Sequence, residues 1–402
     1  METKKLSYSK TFLLGFGFFC ISLVWPLYNN FVPIFLSKYI SSTFLIGVIM
    51  TFDNIAAVTL QPIIGGLSDR TNSRYGKRMP YLLFGIPLSG LFFTMIPFEF
   101  SLISLMAFAM LFNIAMSIYR APTVALMPDL TPAEHRSKAN GIINFMGGVG
   151  TAIALSAGSL IYDVDKRLPF FGTAIIMLIA LAILFKTIKE PRAEIREEKD
   201  KETGIVAAFG EVFRDKDKSA LLLLFAIFFW FVGYQGIEAL FSLYVVKFLG
   251  YTESAAGFTL FFFSAAFIAF SIPSGYLATA IGRRKTIKLG IIGLMIVFIG
   301  VVFVKSLLIL RVLMAVGGVF WACININSYP MVVQMTTDNK IGAYTGLYYF
   351  FSSMAAIVGP PLFGAFIDVV GFGVMFIVAL CFLLLALLSM TGVKKGEAVK
   401  NS

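Results

Sequence analysis

Long apolar stretches separated by short polar turns are the main pattern of this chain. Twelve such stretches follow one another, each close to the roughly 20 residues that an α-helix needs to cross a membrane. None alternates like a half-buried strand, and a backbone in lipid must satisfy its own hydrogen bonds, so we expect an all-α integral membrane protein. The predicted transmembrane helices cover residues 11–36, 44–67, 80–97, 101–127, 139–162, 169–187, 219–246, 254–279, 286–304, 307–333, 341–366 and 372–392.

The twelve predicted helices fall into two groups of six that repeat one another. Residues match between the groups at a nearly constant offset, for example Pro122 with Pro330 and Asp163 with Asp368. Internal repeats of this kind are typical of transporters, whose site lies where the repeats meet. We therefore expect two pseudo-symmetric six-helix bundles joined by a cytoplasmic linker. The predicted boundaries are 1–188, 189–218 and 219–402.

Composition and charge agree with a membrane protein and predict its orientation. The 402 residues are 58% hydrophobic and 14% charged, against roughly 25% charged in a soluble domain. With both termini in the cytoplasm, the inner segments hold 26 lysines and arginines and the outer segments hold 6. This positive-inside pattern explains the net charge of +11. We expect a multi-pass cell-membrane protein whose basic surface faces anionic lipid rather than nucleic acid.

The sequence shows no motif for a cofactor, a metal or an enzyme reaction. Cys20, Cys323 and Cys381 are far apart and lie in predicted helices. The only histidine, His135, lies in a polar loop. We therefore expect no cofactor, no bound metal and no enzymatic activity, and we expect a monomer.

The most specific motif is a basic turn between the second and third predicted helices. Residues 69–78 contain four cations and one acid, and a weaker copy at 275–285 occupies the same place in the second half. Thr279 stands in that copy where Asp69 stands in the first. The repeat of the turn supports a duplicated transporter, and its asymmetry predicts unequal roles for the two copies.

The two-half pattern with this turn resembles the major facilitator superfamily. Residues 60–70 and 73–80 are similar to the sucrose-transporter and glycoside–cation symporter branch, with its Gln-Pro, Ser-Asp-Arg and Ser-Arg-aromatic-Gly segments. Residues 125–130 resemble the end of that branch's fourth helix. The chain departs from the branch at Val124, where an arginine is usual; Arg120 lies one helical turn earlier. The resemblance implies a sugar transporter that works by alternating access.

In the superfamily that the basic turn resembles, the turn acts as a cytoplasmic gate. The resemblance implies that Asp69 lies at the N-terminus of the eleventh helix, where the helix dipole favours an anion. It also implies that basic residues of the turn pair with acids at the end of the fourth helix. The alternative is that lysine and arginine here only set the topology. The predicted gating residues are Asp69, Arg70, Arg74, Arg78, Asp129 and Glu134.

Ionisable residues deep in predicted helices are candidates for coupling, because a charge there costs about 3 kcal/mol or more. Asp53, Arg120 and Glu238 qualify. We predict that Asp53 and Glu238 are the ion-coupling residues and that the ion is a proton. Asp53 has no close second acid before Pro62, so sodium coupling of the melibiose type is not supported. The alternative is a salt bridge between Asp53 and Arg120 that only holds helices together.

Polar and aromatic residues recur at helical spacing on the first, fourth, seventh and tenth predicted helices. In the superfamily that the chain resembles, these four helices line the central cavity, and aromatic faces beside amides suit a sugar ring. The alternative is that these aromatic residues pack against other helices or lipid. The predicted substrate-binding residues are Trp25, Asn29, Asn113, Arg120, Tyr234, Gln235, Glu238, Trp321 and Asn325.

Together these features predict a secondary active transporter that moves a di- or monosaccharide by alternating access in symport with protons. A proton-coupled exporter of amphipathic drugs or metabolites is the alternative. Such an exporter should have a more apolar cavity than Arg120 and the asparagines indicate.

Overall fold

The computed structural model describes residues 7–132, 135–190, 205–337 and 340–397. In this part of the chain, twelve helices are long and apolar enough to cross a membrane. The regular secondary structure of the described residues is helical. The prediction of an all-α protein with twelve membrane-spanning helices is therefore confirmed.

The membrane-spanning helices are named α1 to α12 in chain order, and their ends lie within a few residues of the predicted positions. A short amphipathic helix, Ile205–Arg214, lies in the linker. The bounds are α1 (Tyr8–Leu36), α2 (Thr43–Arg70), α3 (Met79–Phe98), α4 (Leu102–Leu130), α5 (Lys138–Tyr162), α6 (Leu168–Thr187), α7 (Ser219–Phe248), α8 (Glu253–Ile281), α9 (Arg283–Phe303), α10 (Leu307–Val333), α11 (Ile341–Val370) and α12 (Phe372–Gly392).

Side-chain caps fix where several of these helices begin. The Ser42 hydroxyl accepts the N–H of Leu45 at 3.3 Å at the start of α2. The Thr252 hydroxyl accepts the N–H of Ala255 at 3.2 Å at the start of α8. Because the first N–H groups of a helix have no partner inside it, such caps stabilise the start of the helix by about 1 kcal/mol.

Three helices contain a local irregularity that hydrophobic periodicity does not predict. A turn at Thr51 interrupts α2, and π-helical turns occupy Ala154–Gly158 in α5 and Tyr244–Phe248 in α7. None of these segments contains a proline. Proline therefore does not cause them. Thr51 Oγ1 donates to the Val48 carbonyl at 2.7 Å and Ser156 Oγ donates to the Ala152 carbonyl at 2.5 Å, and side-chain bonds of this kind to a helix backbone often bend the helix.

Contacts between residues group the described helices into two compact units. The turn at Thr51 and the middle of α8 are boundaries, so the first part of α2 belongs to unit 2 and the first part of α8 belongs to unit 1. The division into domains at 188 and 219 stays a prediction. Within the described residues, unit 1 comprises 7–41, 52–190 and 252–261, and unit 2 comprises 42–51, 205–251 and 262–397.

A glutamate caps the third helix of each half. In unit 1 the Glu190 carboxylate accepts the N–H groups of Arg78 and Met79 at the start of α3. In unit 2 the Glu397 carboxylate accepts the N–H groups of Arg283 and Arg284 at the start of α9. A carboxylate at a helix N-terminus interacts favourably with the helix dipole. The third helix of each half is therefore capped in the same way.

A second repeated contact involves the matched acids Asp163 and Asp368. In unit 2, Asp368 accepts the Ser42 hydroxyl at 2.6 Å and the backbone N–H groups of Thr43 and Phe44 at 2.6 and 3.0 Å. In unit 1, Asp163 accepts the Ser254 hydroxyl at 2.6 Å. The repeat seen in the sequence therefore marks equivalent positions at the starts of α2 and α8.

Candidate functional site

In unit 1, helices α1, α2 and α4 bring Trp25, Asp53 and Arg120 together. The Arg120 guanidinium carbon lies 5.6 Å from the centre of the Trp25 ring, a cation–π contact. Asp53 interacts electrostatically with Arg120. The amide Nδ2 of Asn54 donates a hydrogen bond of 2.8 Å to Asp53 Oδ1. The two charges of unit 1 that the sequence places deep in helices thus act on each other electrostatically.

Asp53 and Arg120 do not form a direct ion pair. Among the described residues, none of the ion pairs within 4.0 Å includes either side chain. The salt bridge that was the alternative explanation for these residues is therefore not formed in this conformation. The guanidinium keeps hydrogen-bond donors that no described side chain satisfies.

Tyr28 and Asn113 form a polar contact beside this pair. Asn113 Nδ2 donates to the Tyr28 hydroxyl at 3.1 Å, and Tyr28 interacts electrostatically with Asp53. Asn113 Oδ1 and Trp25 Nε1 are buried and have no hydrogen-bond partner among the described residues. Tyr28 was not among the predicted site residues, although it lies three residues after Trp25 on one helix face.

Asn29 and Glu238 are half-buried on α1 and α7. Both have interaction partners. Within unit 2, Glu238 acts electrostatically on Tyr234, one helical turn earlier on α7. Their roles in substrate binding and coupling stay predictions.

Unit 2 contains a pocket of about 240 Å³ formed by α7, α8 and α10. Tyr234 and Trp321 stack face to face in its wall, with ring centres 4.3 Å apart and planes 4° apart. Such stacked rings present a flat apolar surface, and Asn325 adds an amide beside it. The lining residues are Tyr234, Phe263, Ser264, Phe267, Trp321 and Asn325.

Of the five substrate-binding residues predicted in unit 2, the pocket joins three and omits Gln235 and Glu238. Tyr234, Trp321 and Asn325 line it, whereas Gln235 lies beside Gly359 of α11. The α8 residues of the pocket were not predicted, because Phe263, Ser264 and Phe267 lie in a largely apolar stretch of the sequence. Their spacing on α8 is the same as that of residues that pack against another helix or lipid. Only the positions of α7 and α10 show that they line a pocket.

The basic turn forms a dense polar cluster in unit 1 around Arg78, which is 4% exposed. Its guanidinium donates to Asp129 at 2.9 Å and also bonds to Asp69 and to the Ser68 hydroxyl. Lys77 pairs with Asp129 at 3.1 Å. The predicted pairing of the turn with Asp129 is thus present, and the gating role of the cluster stays a prediction.

The other predicted gating residues are placed differently. Arg70 is exposed, and the Arg74 guanidinium carbon lies 4.6 Å from the centre of the Tyr75 ring. Asp69 is ion-paired with Arg78 in unit 1; its predicted position at the start of α11 stays a prediction. Glu134 lies outside the described residues.

At the start of α7, outside the predicted membrane core, Asp217 lies in a small polar cluster. It accepts the N–H of Ser219 at 2.9 Å and pairs with Lys395 at 3.1 Å. Contacts with Ser219, followed by those with Lys395, lower the pKa of Asp217 to about 2. In the described part of the chain, no group of three or more histidine, cysteine, aspartate or glutamate side chains could hold a metal ion.

Known proteins with similar sequences have diverse cargoes. The chain is 25% identical over 361 residues to the class H tetracycline resistance protein of Pasteurella multocida, covering 85% of this chain and 84% of that protein. It is 28% identical over 247 residues to the cis,cis-muconate transport protein of Acinetobacter baylyi, covering 60% and 59%. It is 26% identical over 289 residues to the lactose permease of Lactobacillus delbrueckii subsp. bulgaricus, covering 65% and 45%.

Comparison with solved structures and family models identifies the fold and the family. The structure matches that of the nucleoside transporter NupG with a TM-score of 0.77 at 14% identity, covering 96% of this chain and 99% of the other. At that identity the match concerns the fold alone. The model of the Major Facilitator Superfamily matches residues 14–303 and 248–401. The chain therefore belongs to the Major Facilitator Superfamily.

Proposed function

We propose that this secondary transporter moves a sugar or sugar derivative by alternating access, in symport with protons. The observation that carries the proposal is the cluster of Trp25, Asp53, Arg120 and Asn113, which places charges and unsatisfied polar atoms inside membrane-spanning helices. Such groups are costly in a membrane and mark solute or ion pathways. A protein that only packed its helices would not need them.

Aromatic surfaces support a ring-shaped solute. The C–H faces of a sugar are apolar and its rim carries hydroxyls, so it matches a flat aromatic wall beside an amide. Unit 2 supplies such a wall with Tyr234 and Trp321, and Asn325 provides the amide. Unit 1 supplies Trp25 beside Arg120. We assign substrate binding to these side chains.

Proton coupling is assigned to Asp53, with Glu238 as the second candidate. A coupling ion drives transport only if it binds two conformations with different affinity. A carboxylate whose neighbour is a guanidinium without a direct ion pair can gain or lose that interaction as the helices move. The Arg78 cluster is assigned to the gate, because its bonds join α2, the turn and α4.

Export of an amphipathic compound is the competing function. The pocket wall of unit 2 is largely aromatic, with Phe263 and Phe267 beside Tyr234 and Trp321. The similarity to a tetracycline resistance protein is in line with such a cargo. An exporter would exchange its cargo for protons, so the direction of proton movement distinguishes the two functions.

Uptake into proteoliposomes tests the proposal. Purified protein is reconstituted, and radiolabelled sucrose, maltose, glucose and glucuronate are offered with and without an inward proton gradient. We expect at least one of these solutes to accumulate only with the gradient. The Asp53→Asn variant should lose accumulation, and Asp165→Asn, which removes an exposed acid between α5 and α6, should retain the gradient response. Failure of all four solutes to accumulate, with proton-driven efflux of an amphipathic dye, would favour the exporter.

A further inference from the structure

We infer that the transported solute carries a carboxylate that pairs with Arg120, so that the substrate class is sugar acids or similar organic acids rather than neutral sugars. This inference rests on the proposed function, because it takes Asp53 as the proton site. It is argued from unit 1 alone, from the charges of Asp53 and Arg120 and from the buried polar atoms around them.

The unused hydrogen-bond donors of Arg120 indicate the chemistry of the solute. The guanidinium carbon lies 5.6 Å from the centre of the Trp25 ring, and this cation–π contact provides no acceptor oxygen for the N–H groups of the guanidinium. Within the described part of the chain, these N–H groups donate no hydrogen bond and form no ion pair within 4.0 Å. A carboxylate matches the edge of a guanidinium with two parallel hydrogen bonds, which a sugar hydroxyl cannot do.

Buried polar atoms on α1 and α4 are an independent sign of a ligand in unit 1. Asn113 is 4% exposed, and its Oδ1 atom has no hydrogen-bond partner among the described residues. The Nε1 atom of Trp25 is also buried and has no hydrogen-bond partner among the described residues. Because unpaired buried polar atoms are costly, an acceptor on α4 two helical turns before Arg120 and a donor on the aromatic neighbour of Arg120 predict a solute with both kinds of group. A hydroxylated acid has hydroxyls that donate and a carboxylate that accepts.

The balance of charge within the helices of unit 1 also favours an acidic solute. With Asp53 ionised, it and Arg120 sum to zero charge; the groups that act on them from α1 and α4, Tyr28 and Tyr119, are phenols and neutral near pH 7. If Asp53 takes up the coupling proton, Arg120 is left as a half-buried cation inside a membrane-spanning helix without a compensating charge, which is unfavourable. A neutral sugar does not remove this charge, whereas a bound carboxylate does.

The sequence of events follows from this balance. A proton from solution adds to the Asp53 carboxylate as the solute carboxylate binds Arg120. The positive charge of Arg120 is then balanced by the solute carboxylate instead of by Asp53. On the other side of the membrane the solute leaves and Asp53 releases the same proton. One carboxylate therefore moves with one proton, and this site carries no net charge in either direction.

Matched pairs of acids and neutral sugars test the inference in proteoliposomes. The probes are radiolabelled glucuronate with glucose, galacturonate with galactose, and lactobionate with lactose, each with an inward proton gradient. We expect an acid to accumulate and its neutral partner to bind at least about tenfold more weakly. Accumulation of a neutral member with affinity equal to or above that of its acid would overturn the inference and keep the proposed function. No accumulation of any member would overturn both.

Variants then separate binding from structure. Arg120→Lys keeps the positive charge but loses the planar guanidinium that can form two parallel hydrogen bonds with a carboxylate. It should weaken acid binding by about 10- to 100-fold. The matched control is Arg167→Lys, since Arg167 forms a similar contact with Phe98 at 4.7 Å in unit 1, away from the site; it should bind the acid normally. Melting temperatures of both purified variants show whether either is misfolded.

The Asp53→Asn variant should change the pH dependence of acid binding, which would stay the same if Asp53 had a purely structural role. The amide stays neutral, so the variant should bind the acid with the same affinity at pH 5.5 and pH 7.5, whereas the unmodified protein should bind it more tightly at the lower pH. It should exchange internal for external acid and lose accumulation driven by the gradient. Acid binding that disappears in Asp53→Asn, or that keeps its normal pH dependence, would contradict the inference.

Discussion

Arg78 shows how much a single side chain in the basic turn contributes. Its guanidinium is almost fully buried and bonds to Asp69, Asp129 and the Ser68 hydroxyl. A buried charge of this kind is tolerated only when its donors are satisfied. The planar guanidinium of arginine has five N–H donors spread over three nitrogens, whereas lysine has three donors on a single nitrogen and reaches fewer separated acceptors.

Replacing Arg78 by lysine should therefore lower the stability of unit 1. We expect a loss of about 1.5–3 kcal/mol, the value of a charge-assisted hydrogen bond that is not replaced. The measurement is the melting temperature of the purified protein. Arg74→Lys is the control, because Arg74 is exposed beside Tyr75. Equal melting temperatures for the two variants would show that the cluster does not stabilise the turn.

Gly76 occupies a backbone conformation that favours glycine, with φ of +99°. A Cβ atom there would also overlap the side chain of Glu190. Gly76→Ala should therefore destabilise the protein by about 1–2 kcal/mol or more. Gly172→Ala is the matched control, since its Cβ would meet no atom within 4 Å, and its melting temperature should be unchanged or higher. A Gly76→Ala variant as stable as the control would refute this explanation of the turn.

Asp217 predicts a pH-dependent contact outside the membrane. Its folded pKa of about 2 lies below the ordinary value near 3.9, because Ser219 and Lys395 favour the charged form. Because the pKa of this acid is lowered in the folded protein, the contribution of Asp217 to the stability of the fold is complete above about pH 4. This contribution disappears as the pH falls towards about 2. The difference in melting temperature between the protein and Asp217→Asn should shrink over that interval. A difference that is constant between pH 7 and pH 3 would contradict the assignment.

At the scale of elements, the starts of α2 and α8 are held by acids far away in the sequence. Asp368 accepts three hydrogen bonds at the start of α2, including two from backbone N–H groups. Asp163 accepts the Ser254 hydroxyl at the start of α8. An acid that reaches backbone N–H groups interacts with the helix dipole directly, so the two contacts should differ in strength.

We therefore expect Asp368→Ala to destabilise the protein more than Asp163→Ala. Loss of the cap on α2 should cost about 1–2 kcal/mol, the value of a helix cap, and loss of one hydroxyl contact should cost less. Melting temperatures of the two purified variants give the comparison, and each variant is the control for the other. If Asp163→Ala is the less stable variant, Asp368 does not act as a cap.

The elements also show how far sequence patterns reach. The length of each apolar stretch predicted all twelve helices, because a membrane span is defined by local composition. Caps at Ser42 and Thr252 are local as well. The turn at Thr51 and the π-helical turns have no proline or glycine pair to mark them, so local patterns do not predict them.

For the whole molecule, the distribution of lysine and arginine predicts that both termini are cytoplasmic. A cysteine placed at Ser306, between α9 and α10, should react with an impermeant maleimide in intact cells. A cysteine placed at Asn72, between α2 and α3, should react only after the membrane is permeabilised. Both residues are exposed, and the natural cysteines are first replaced by alanine. The reverse labelling pattern would show that the predicted orientation is wrong.

Candidate site residues were predictable to different degrees. Asp53 and Arg120 were found because a charge in an apolar helix is conspicuous by itself. Tyr234 and Trp321 were found through helical spacing, but their stacking at 4.3 Å depends on the packing of α7 against α10. Phe263 carried no signal, because an aromatic residue in an apolar helix has the same local pattern whether it faces a pocket, another helix or lipid.

By itself, the sequence determined the class of protein, the twelve helices, the internal repeat and the deep charges. These properties follow from the cost of exposing polar groups to lipid, which each segment expresses without help from the rest of the chain. Only the tertiary structure decided which groups meet. It gave Arg78 its acceptors, joined Asp368 to the start of α2, and placed Arg120 on Trp25 without a direct bond to Asp53. Contacts between distant residues depend on how whole helices pack, and no local pattern contains that information.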